Sequence, residues 1–301
     1  MKRATQARYL GLVAVACFFF TSAHADTVYV SNFPAGHSPT HQYIEELDSS
    51  GQGSVFPAGI SSPTGLAFDS SGDLYASDNS NNAIVKFDTS GNESVFASSV
   101  GRPTDLAFDG NGNLYALAGG GIEKFDSSGN ETNIALNIGF NDSGIACDRN
   151  GNVYVCNSLF GTISKYDSSG NQSLFASGLG GPAGPTGLAC DTNGNLYVSM
   201  FNGNSILKFA PNGSHSVFAN TNLDGPYGLA FDNSGNLFVA NTSDNTIEEF
   251  DSNGNGTLFA NSGLDYPEVI AVVPVPEPAA DFLVAAGIVG LLASRRLRRQ
   301  L

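Results

Sequence analysis

Two histidines, His37 and His41, have the four-residue spacing that places two imidazoles together on a helix, where they could bind a zinc ion. The segment around them contains Pro39 and supplies no third ligand, so the pair is interpreted as two solvated loop histidines. No Gly-x-Ser-x-Gly elbow lies between a strand and a helix, so the chain offers no serine nucleophile of that type. Neither pattern predicts a complete catalytic centre.

Three of the four cysteines, Cys147, Cys156 and Cys190, lie outside the apolar N-terminal segment, which contains Cys17. Cys147 and Cys190 stand where related segments of the chain have Phe68 and Phe108, which indicates small core residues. An exported protein can hold a disulfide, but an odd number of cysteines in apolar surroundings favours buried free thiols, with one disulfide as the alternative.

Aspartate recurs with asparagine and glycine in short clusters such as 69–73 and 88–92. Oxygen ligands at this density could bind Ca²⁺, yet no cluster has the full Asp-x-Asp-x-Asp-Gly pattern followed by Glu. Turn chemistry explains the clusters, because Asp caps nearby amides and Gly adopts positive φ. No catalytic metal and no cofactor are therefore predicted, and a structural calcium ion is the alternative.

These clusters belong to a repeat of about 41 residues. Its signature is Pro-Thr-Gly-Leu-Ala-Phe-Asp in the complete form, and it occurs at 63–69, 103–109, 142–148, 185–191 and 226–232. Each unit has the pattern of four short strands, and no helical periodicity is found between residues 26 and 274. A fixed period of four-stranded units predicts a β-propeller, in which no unit buries its apolar faces alone.

The first unit lacks its innermost strand, and a matching strand is found at the other end of the chain. Residues 27–57 supply the second to fourth strands, while 267–273 follows Pro226 by about 41 residues, in register with the other first strands. We therefore predict an all-β, six-bladed β-propeller over residues 26–273. Its blades are four-stranded, and the first blade is closed by the C-terminal strand 267–273.

The motifs Pro-x-Gly-Leu-Ala-Phe-Asp, Gly-Asn-Leu-Tyr-Val and Ile-x-Lys-Phe-Asp resemble NHL-repeat propellers and the related gluconolactonase/regucalcin-like superfamily. The resemblance covers nearly all of 26–273 and implies the fold, but a propeller hosts many functions. In the lactonase-like relatives, metal ligands include Asn or Asp just before the Gly of the innermost strand. The corresponding residues here are Thr64, Thr104, Ser143, Thr186, Tyr227 and Glu268. Only Glu268 is a hard anionic ligand, and the clustered histidines of propeller lyases are missing, so no enzymatic activity is predicted.

Strands alternate in direction, so the turns after the first and third strands share one face and the remaining loops share the other. The first set is uniform and the second set varies, which is typical of a binding surface. The candidate binding-face residues are Asn32, His37, His41, Asp78, Arg102, Asp105, Asn157, Phe160, Phe201, Asn202, Asn241, Asp244 and Glu268. Among the aromatic loop residues, Phe33, Phe160 and Phe201 could stack on a sugar or pack over the channel mouth.

Both ends of the chain have the pattern of processing signals. A basic start (Lys2, Arg3 and Arg8), an apolar stretch at 10–20 and Ala-His-Ala at 23–25 predict a secretory signal peptide over 1–25. The net charge of -15 understates the acidity of the body, since seven of the 13 Lys and Arg lie in the two terminal segments. An acidic body without a basic stripe excludes nucleic acid as a partner.

The C-terminal segment 274–301 combines three features in order. Pro276, Glu277 and Pro278 come first, a short apolar stretch at 282–293 follows, and the segment ends in Arg295, Arg296, Arg298 and Arg299. This order resembles the PEP-CTERM sorting signal of Gram-negative bacteria. The resemblance implies an exosortase-type protease as partner, transient anchoring of a short transmembrane helix in the inner membrane, and delivery to the cell surface or the medium. An ordinary membrane anchor is the alternative, although a permanent span needs about 20 apolar residues.

The function expected from these features is that of an exported, non-enzymatic binding module, with a carbohydrate or a protein as its ligand. A divergent metal-dependent lactonase or hydrolase, with a metal near Glu268, is the alternative.

Overall fold

The computed structural model describes residues 27–34, 42–135, 138, 142–180 and 184–273. The predicted signal peptide, the two histidines at 37 and 41 and the predicted sorting tail 274–301 lie outside these residues. Within the described ranges, no helix is long and apolar enough to cross a membrane.

The described residues form 24 strands in six four-stranded antiparallel sheets. In chain order the strands are β1 Val28–Asn32, β2 Tyr43–Leu47, β3 Gly53–Phe56, β4 Pro63–Phe68, β5 Leu74–Asp78, β6 Ala83–Phe87, β7 Glu93–Ser98, β8 Asp105–Phe108, β9 Leu114–Ala118, β10 Gly121–Phe125, β11 Glu131–Ala135, β12 Asp142–Cys147, β13 Val153–Asn157, β14 Thr162–Tyr166, β15 Gln172–Ala176, β16 Pro185–Cys190, β17 Leu196–Met200, β18 Ser205–Phe209, β19 His215–Ala219, β20 Pro226–Phe231, β21 Leu237–Asn241, β22 Thr246–Phe250, β23 Gly256–Ala260 and β24 Pro267–Val272. A short 3-10 helix spans Phe201–Gly203.

The six sheets are the blades of a propeller. Blade I has the strand order β24-β1-β2-β3, and blades II to VI are built in sequence from β4–β7, β8–β11, β12–β15, β16–β19 and β20–β23. In blade I, β24 pairs antiparallel with β1, with Val272 opposite Val28 and Ile270 opposite Val30. Both predictions are confirmed: the fold is a six-bladed propeller, and its C-terminal strand completes the first blade.

The hydrophobic core is divided into six clusters, each between two neighbouring blades. The cluster between blades VI and I contains Val28, Val30, Ile270 and Val272 from blade I, packed against Phe238 and its neighbours in blade VI. Each blade therefore buries both of its faces only when the ring is closed, which is the dependence that the repeat predicted.

Uniform turns after the first and third strands of the blades form one face of the ring, called the turn face below. In each complete turn the leading aspartate accepts hydrogen bonds from the amides two and four residues later, as Asp126 does from Ser128 and Asn130 at 2.8 and 3.0 Å. Bonds from the side chain and amide of Asn255, and from the amide of Asn253, lower the pKa of Asp251 to about 2. The Asp, Asn and Gly clusters are therefore turn caps, as the sequence indicated.

Deleting residues 267–273 should remove the closing strand and expose the cluster between blades VI and I. Because Ile270 and Val272 are only 4% and 7% exposed, we expect a loss of stability on the order of 5 kcal/mol and a sharply lower melting temperature. The check is thermal unfolding followed by circular dichroism. A permuted chain that carries the same residues ahead of Thr27 is the control and should regain the stability. Unchanged melting of the deletion variant would contradict the closure.

Candidate functional site

The opposite face of the ring, called the loop face below, carries the loops between second and third strands and the connections between blades. Its described loops are 33–34, 79–82, 119–120, 158–161, 201–204 and 242–245, and its fully described connections are 57–62, 99–104, 220–225 and 261–266. These segments differ in sequence, although the four connections are all six residues long and most of the loops have four residues, whereas the turn face repeats one turn. The loop face is therefore the variable face of the ring, and the described candidate residues lie on it or just beneath it.

Four polar candidates lie at the ends of second strands and are buried: Asn32, Asp78, Asn157 and Asn241. Their side chains accept hydrogen bonds from loop amides. Asn157 Oδ1 accepts from Phe160 N at 3.0 Å, and Asn241 Oδ1 accepts from Asp224 N at 3.2 Å. Their hydrogen-bonding groups hold the loops in place, so these residues shape the loop face from below.

The exposed candidates are Arg102, Phe160, Asn202 and Asp244. Arg102 adopts a φ of 51°, and Phe160 is 68% exposed. Phe201 is half-buried, and its ring lies 6.5 Å from that of Tyr227 in an edge-to-face arrangement. The candidates thus fall into two groups, buried side chains that hold loops and a few exposed side chains. The structure does not bring them together into one cluster.

A small polar cavity of about 50 Å³ lies at the loop-face end of the central channel, lined by Asp105, Ser143, Thr186 and Tyr227 among others. Asp105 occupies the position of the repeat glycine and accepts hydrogen bonds from Leu106 N and Ile145 N, both at 2.9 Å. It therefore ties blade III to blade IV. The only sequence signal for this role was the replacement of Gly by Asp in the third repeat.

Two carboxyl groups at this mouth have pKa values well above the ordinary range. Burial raises the pKa of Asp105 to about 7, against the effect of the two amide bonds, and burial raises the pKa of Glu268 to about 7 as well. Burial also raises the pKa of Tyr227, and the charges of Glu268 and Asp105 raise it further. The three groups are thus close enough to interact, and near neutral pH they can hold protons.

Below the mouth, six aliphatic side chains line the channel between the small cavity and the space beneath it: Leu66, Leu106, Ile145, Leu188, Leu229 and Ile270. A larger chamber of about 310 Å³, lined by apolar side chains, follows toward the turn face. Cys147 and Cys190 line it as free thiols, and the Cys156 thiol donates to the carbonyl of Thr186 at 3.5 Å. Burial raises the pKa of Cys147 and of Cys190, so neither is an activated nucleophile.

Within the described residues, no group of three or more His, Cys, Asp or Glu side chains is arranged to hold a metal ion. Asp105, the other carboxyl group at the mouth, accepts an amide hydrogen bond on each of its oxygens in the blade III to blade IV contact. Among the described residues, the mouth therefore offers the carboxyl groups of Glu268 and Asp105, which can hold protons near neutral pH.

Two family models match parts of the chain. The SMP-30/gluconolactonase/LRE-like region matches residues 144–220, which cover most of blades IV and V, and the NHL repeat matches residues 61–87 in blade II. No curated protein matches the chain in sequence. Parts of the chain are therefore similar to the NHL repeat and to the gluconolactonase-like region, in agreement with the motifs.

Solved structures match nearly the whole ring. A chain of a nidogen–laminin complex has a TM-score of 0.68 at 19% identity, covering 82% of this chain and 98% of its own. A streptogramin B lyase has a TM-score of 0.59 at 16% identity, covering 84% and 89%. A protein of unknown function from Bacteroides thetaiotaomicron has a TM-score of 0.59 at 14% identity, covering 82% and 85%. At these identities the likeness shows the fold alone.

The raised pKa of Glu268 makes stability depend on pH. The folded protein holds the Glu268 proton more tightly than the unfolded chain, in which the pKa of the group is near 4.5. The contribution of the protonated carboxyl group to stability is therefore complete below pH 4.5 and is lost as the pH rises to about 7. Replacing Glu268 by Gln removes the cost of the buried charge. We expect a gain of about 1–2 kcal/mol at pH 8 relative to the effect at pH 5, after allowance for partial exposure.

Urea denaturation at the two pH values measures this difference. Asp224→Asn, at an exposed position in a connection between blades, is the control and should change stability little at either pH. An equal effect of Glu268→Gln at pH 5 and pH 8 would show that the carboxyl group is not desolvated.

Proposed function

We propose that the protein is an exported binding module that holds its ligand on the loop face. The observation that carries this proposal is that the buried polar side chains and the exposed apolar side chains of that face have different roles. Its buried polar side chains hold loops or line a cavity of about 50 Å³, which is too small for a substrate, while large apolar side chains are exposed. Those exposed side chains are Phe33, Leu159, Phe160 and Tyr266, at 39%, 45%, 68% and 42%.

The exposed side chains form two pairs. Phe33 N donates to the carbonyl of Tyr266 at 3.0 Å, which places both residues beside blade I, and Leu159 is adjacent to Phe160 in the loop of blade IV. Aromatic rings of this kind supply large contact areas at low entropic cost in protein and carbohydrate recognition. The two pairs are therefore the proposed contact points for a carbohydrate or protein ligand.

Backbone strain supports the pair beside blade I. Tyr266 precedes the proline of its inner strand with a φ of 53°, and the equivalent residue in blade VI is Gly225, with a φ of 60°. A bulky residue in this left-handed region costs roughly 1 kcal/mol relative to glycine. Arg102, the equivalent residue in blade III, has a similar φ of 51°, so the strain is not unique to Tyr266, but an exposed aromatic ring at a position where glycine would fit supports a role outside the fold.

The similar chain from a complex of two proteins, nidogen and laminin, supports a binding role for this fold. The acidic body and the PEP-CTERM-like tail support export across the inner membrane of a Gram-negative bacterium and processing by an exosortase-type protease. Mass spectrometry of the mature protein checks the sorting step. We expect a C-terminus near Pro276–Pro278, and exported material that still carries Arg299 would contradict it.

Tyr266→Gly should weaken ligand binding while it preserves or slightly raises stability, because it removes the ring and relieves the strained φ. A glycan array and exopolysaccharide preparations are the first probes, and binding of the hits should fall at least about tenfold in Tyr266→Gly and in Phe160→Ala. Ser99→Gly is the matched control, since Ser99 is exposed with a φ of 65° and carries no ring. It should gain similar stability and keep binding.

Two outcomes would contradict the proposal. Ligand binding that survives both Tyr266→Gly and Phe160→Ala would show that the loop-face aromatic pairs are not the contact points for the ligand. A stoichiometric divalent ion and lactone hydrolysis, both lost in Glu268→Ala, would instead favour the gluconolactonase-like alternative, which the match over 144–220 supports.

A further inference from the structure

Both ends of the propeller leave the turn face at the same place. Inner strands run from the loop face to the turn face, so β24 ends there at Val272, and β1 begins beside it at Val28. Val273 N donates to the carbonyl of Thr27 at 3.0 Å, which fixes the last described residue against the first. Whatever follows residue 273 therefore starts on the turn face of blade I.

A groove of about 250 Å³ opens beside this exit, between blades I and II. Thr27 and Val273 form part of its wall, and the rings of Tyr29, Phe56, Phe68 and Phe87 also line it. The Tyr29 ring meets the rings of Phe56 and Phe68 edge to face, with centroids 5.3 Å apart in each pair. Four aromatic rings thus line the groove, together with polar residues such as Asp88 and Thr89, directly beside the point where the chain continues.

This aromatic groove differs from its counterparts in blades II to V. There a lysine lies over the equivalent tyrosine, at 5.0 to 5.4 Å from the ring centroid: Lys86 over Tyr75, Lys124 over Tyr115, Lys165 over Tyr154 and Lys208 over Tyr197. In blade I the position of the lysine is taken by Glu46, whose side chain is hydrogen-bonded to the Tyr29 hydroxyl, and in blade VI it is taken by Glu249, opposite Phe238. Among the described residues, no lysine therefore covers the aromatic surface of the groove in blade I.

We propose that the aromatic groove binds residues 274–278 of the same chain, Pro-Val-Pro-Glu-Pro. Proline-rich segments favour the extended polyproline II conformation, and aromatic-lined grooves bind them because little entropy is lost. Five residues in that conformation span about 15 Å, and the segment starts at the residue after Val273, so no linker is needed. Glu46 and Asp88 border the groove, which favours contact through the neutral residues 274–276.

The bound segment would be shielded on the turn face, and the loop face would stay open. A protease that takes this segment in an extended form must first detach it from the aromatic groove. The contact is intramolecular and rests neither on the proposed ligand nor on the sorting step, so it stands or falls independently of both.

The chain contains no tryptophan, so a single introduced Trp reports on the groove without background. Thr89 is an exposed residue in the groove wall, and Ser127 is exposed at the equivalent position one blade further on. We would compare acrylamide quenching of Thr89→Trp and Ser127→Trp in the full chain, each with the native segment and with residues 274–276 replaced by Gly-Ser-Gly. Quenching of Thr89→Trp should roughly double on replacement, and that of Ser127→Trp should not change.

A synthetic peptide with the sequence of 274–278, added to the Gly-Ser-Gly variant of Thr89→Trp, should restore the lower quenching. Circular dichroism confirms that the variants fold, which is expected because both reporter positions are exposed. Equal quenching of Thr89→Trp with the native and the replaced segment would overturn the proposal. The same change at Ser127→Trp would also overturn it, because it would show a general effect of the segment rather than occupation of the aromatic groove.

Discussion

The structure depends on how closely the six inner strands approach one another around the channel axis. A Cβ atom added to Gly65 would lie 2.7 Å from the Cα of Asp105, and one added to Gly144 would lie 2.6 Å from the carbonyl oxygen of Thr186. A Cβ atom added to Gly187 or Gly228 would come still closer to the carbonyl oxygens of Tyr227 and Glu268. Glycine is required at these positions because backbone packs directly on backbone, and no flexible side chain is available to move aside. The narrow mouth of the channel is a direct result.

That narrowness limits what chemistry the channel can perform. The hydroxyl of Ser77 accepts hydrogen bonds from the inner-strand amides of Gly65 and Thr64 at 2.6 and 3.2 Å, and Ser199 accepts from Gly187 N at 2.7 Å. Thr186 Oγ1 donates to the carbonyl of Pro226 at 3.2 Å, across the boundary between two blades. The hydroxyl groups nearest the mouth thus join strands and blades. The proposed ligand contacts therefore lie on the outer loops, where side chains have room to vary.

The fold was predictable because its determinants are local and repeated. A turn capped by aspartate, such as 126–130, is specified within five residues. The closure of the ring was predictable because 267–273 is in register with the other inner strands of the repeat. The roles of the buried candidates were not predictable, because they depend on distant partners. Asn32 accepts from the amide of Asp265, which lies 233 positions away, and Asn241 accepts from that of Asp224. A polar residue at a strand end looks the same in sequence whether it caps a loop or binds a ligand.

The stretch that matches the gluconolactonase-like model, 144–220, includes residues that pack one blade against the next. That stretch contains Gly144, which follows Ser143, and also Thr186 and Gly187. These residues hold blades IV, V and VI together through close backbone contacts and one hydrogen bond between blades. A divalent cation at the mouth would need anionic oxygens there, but blades IV and V offer Ser143 and Thr186. The acidic residues at the mouth are Asp105, whose two oxygens each accept an amide hydrogen bond, and Glu268, the carboxylate that the lactonase alternative would use. A match of this kind follows the propeller fold, and one fold hosts many functions, so the choice between the two functions depends on Glu268 rather than on the match.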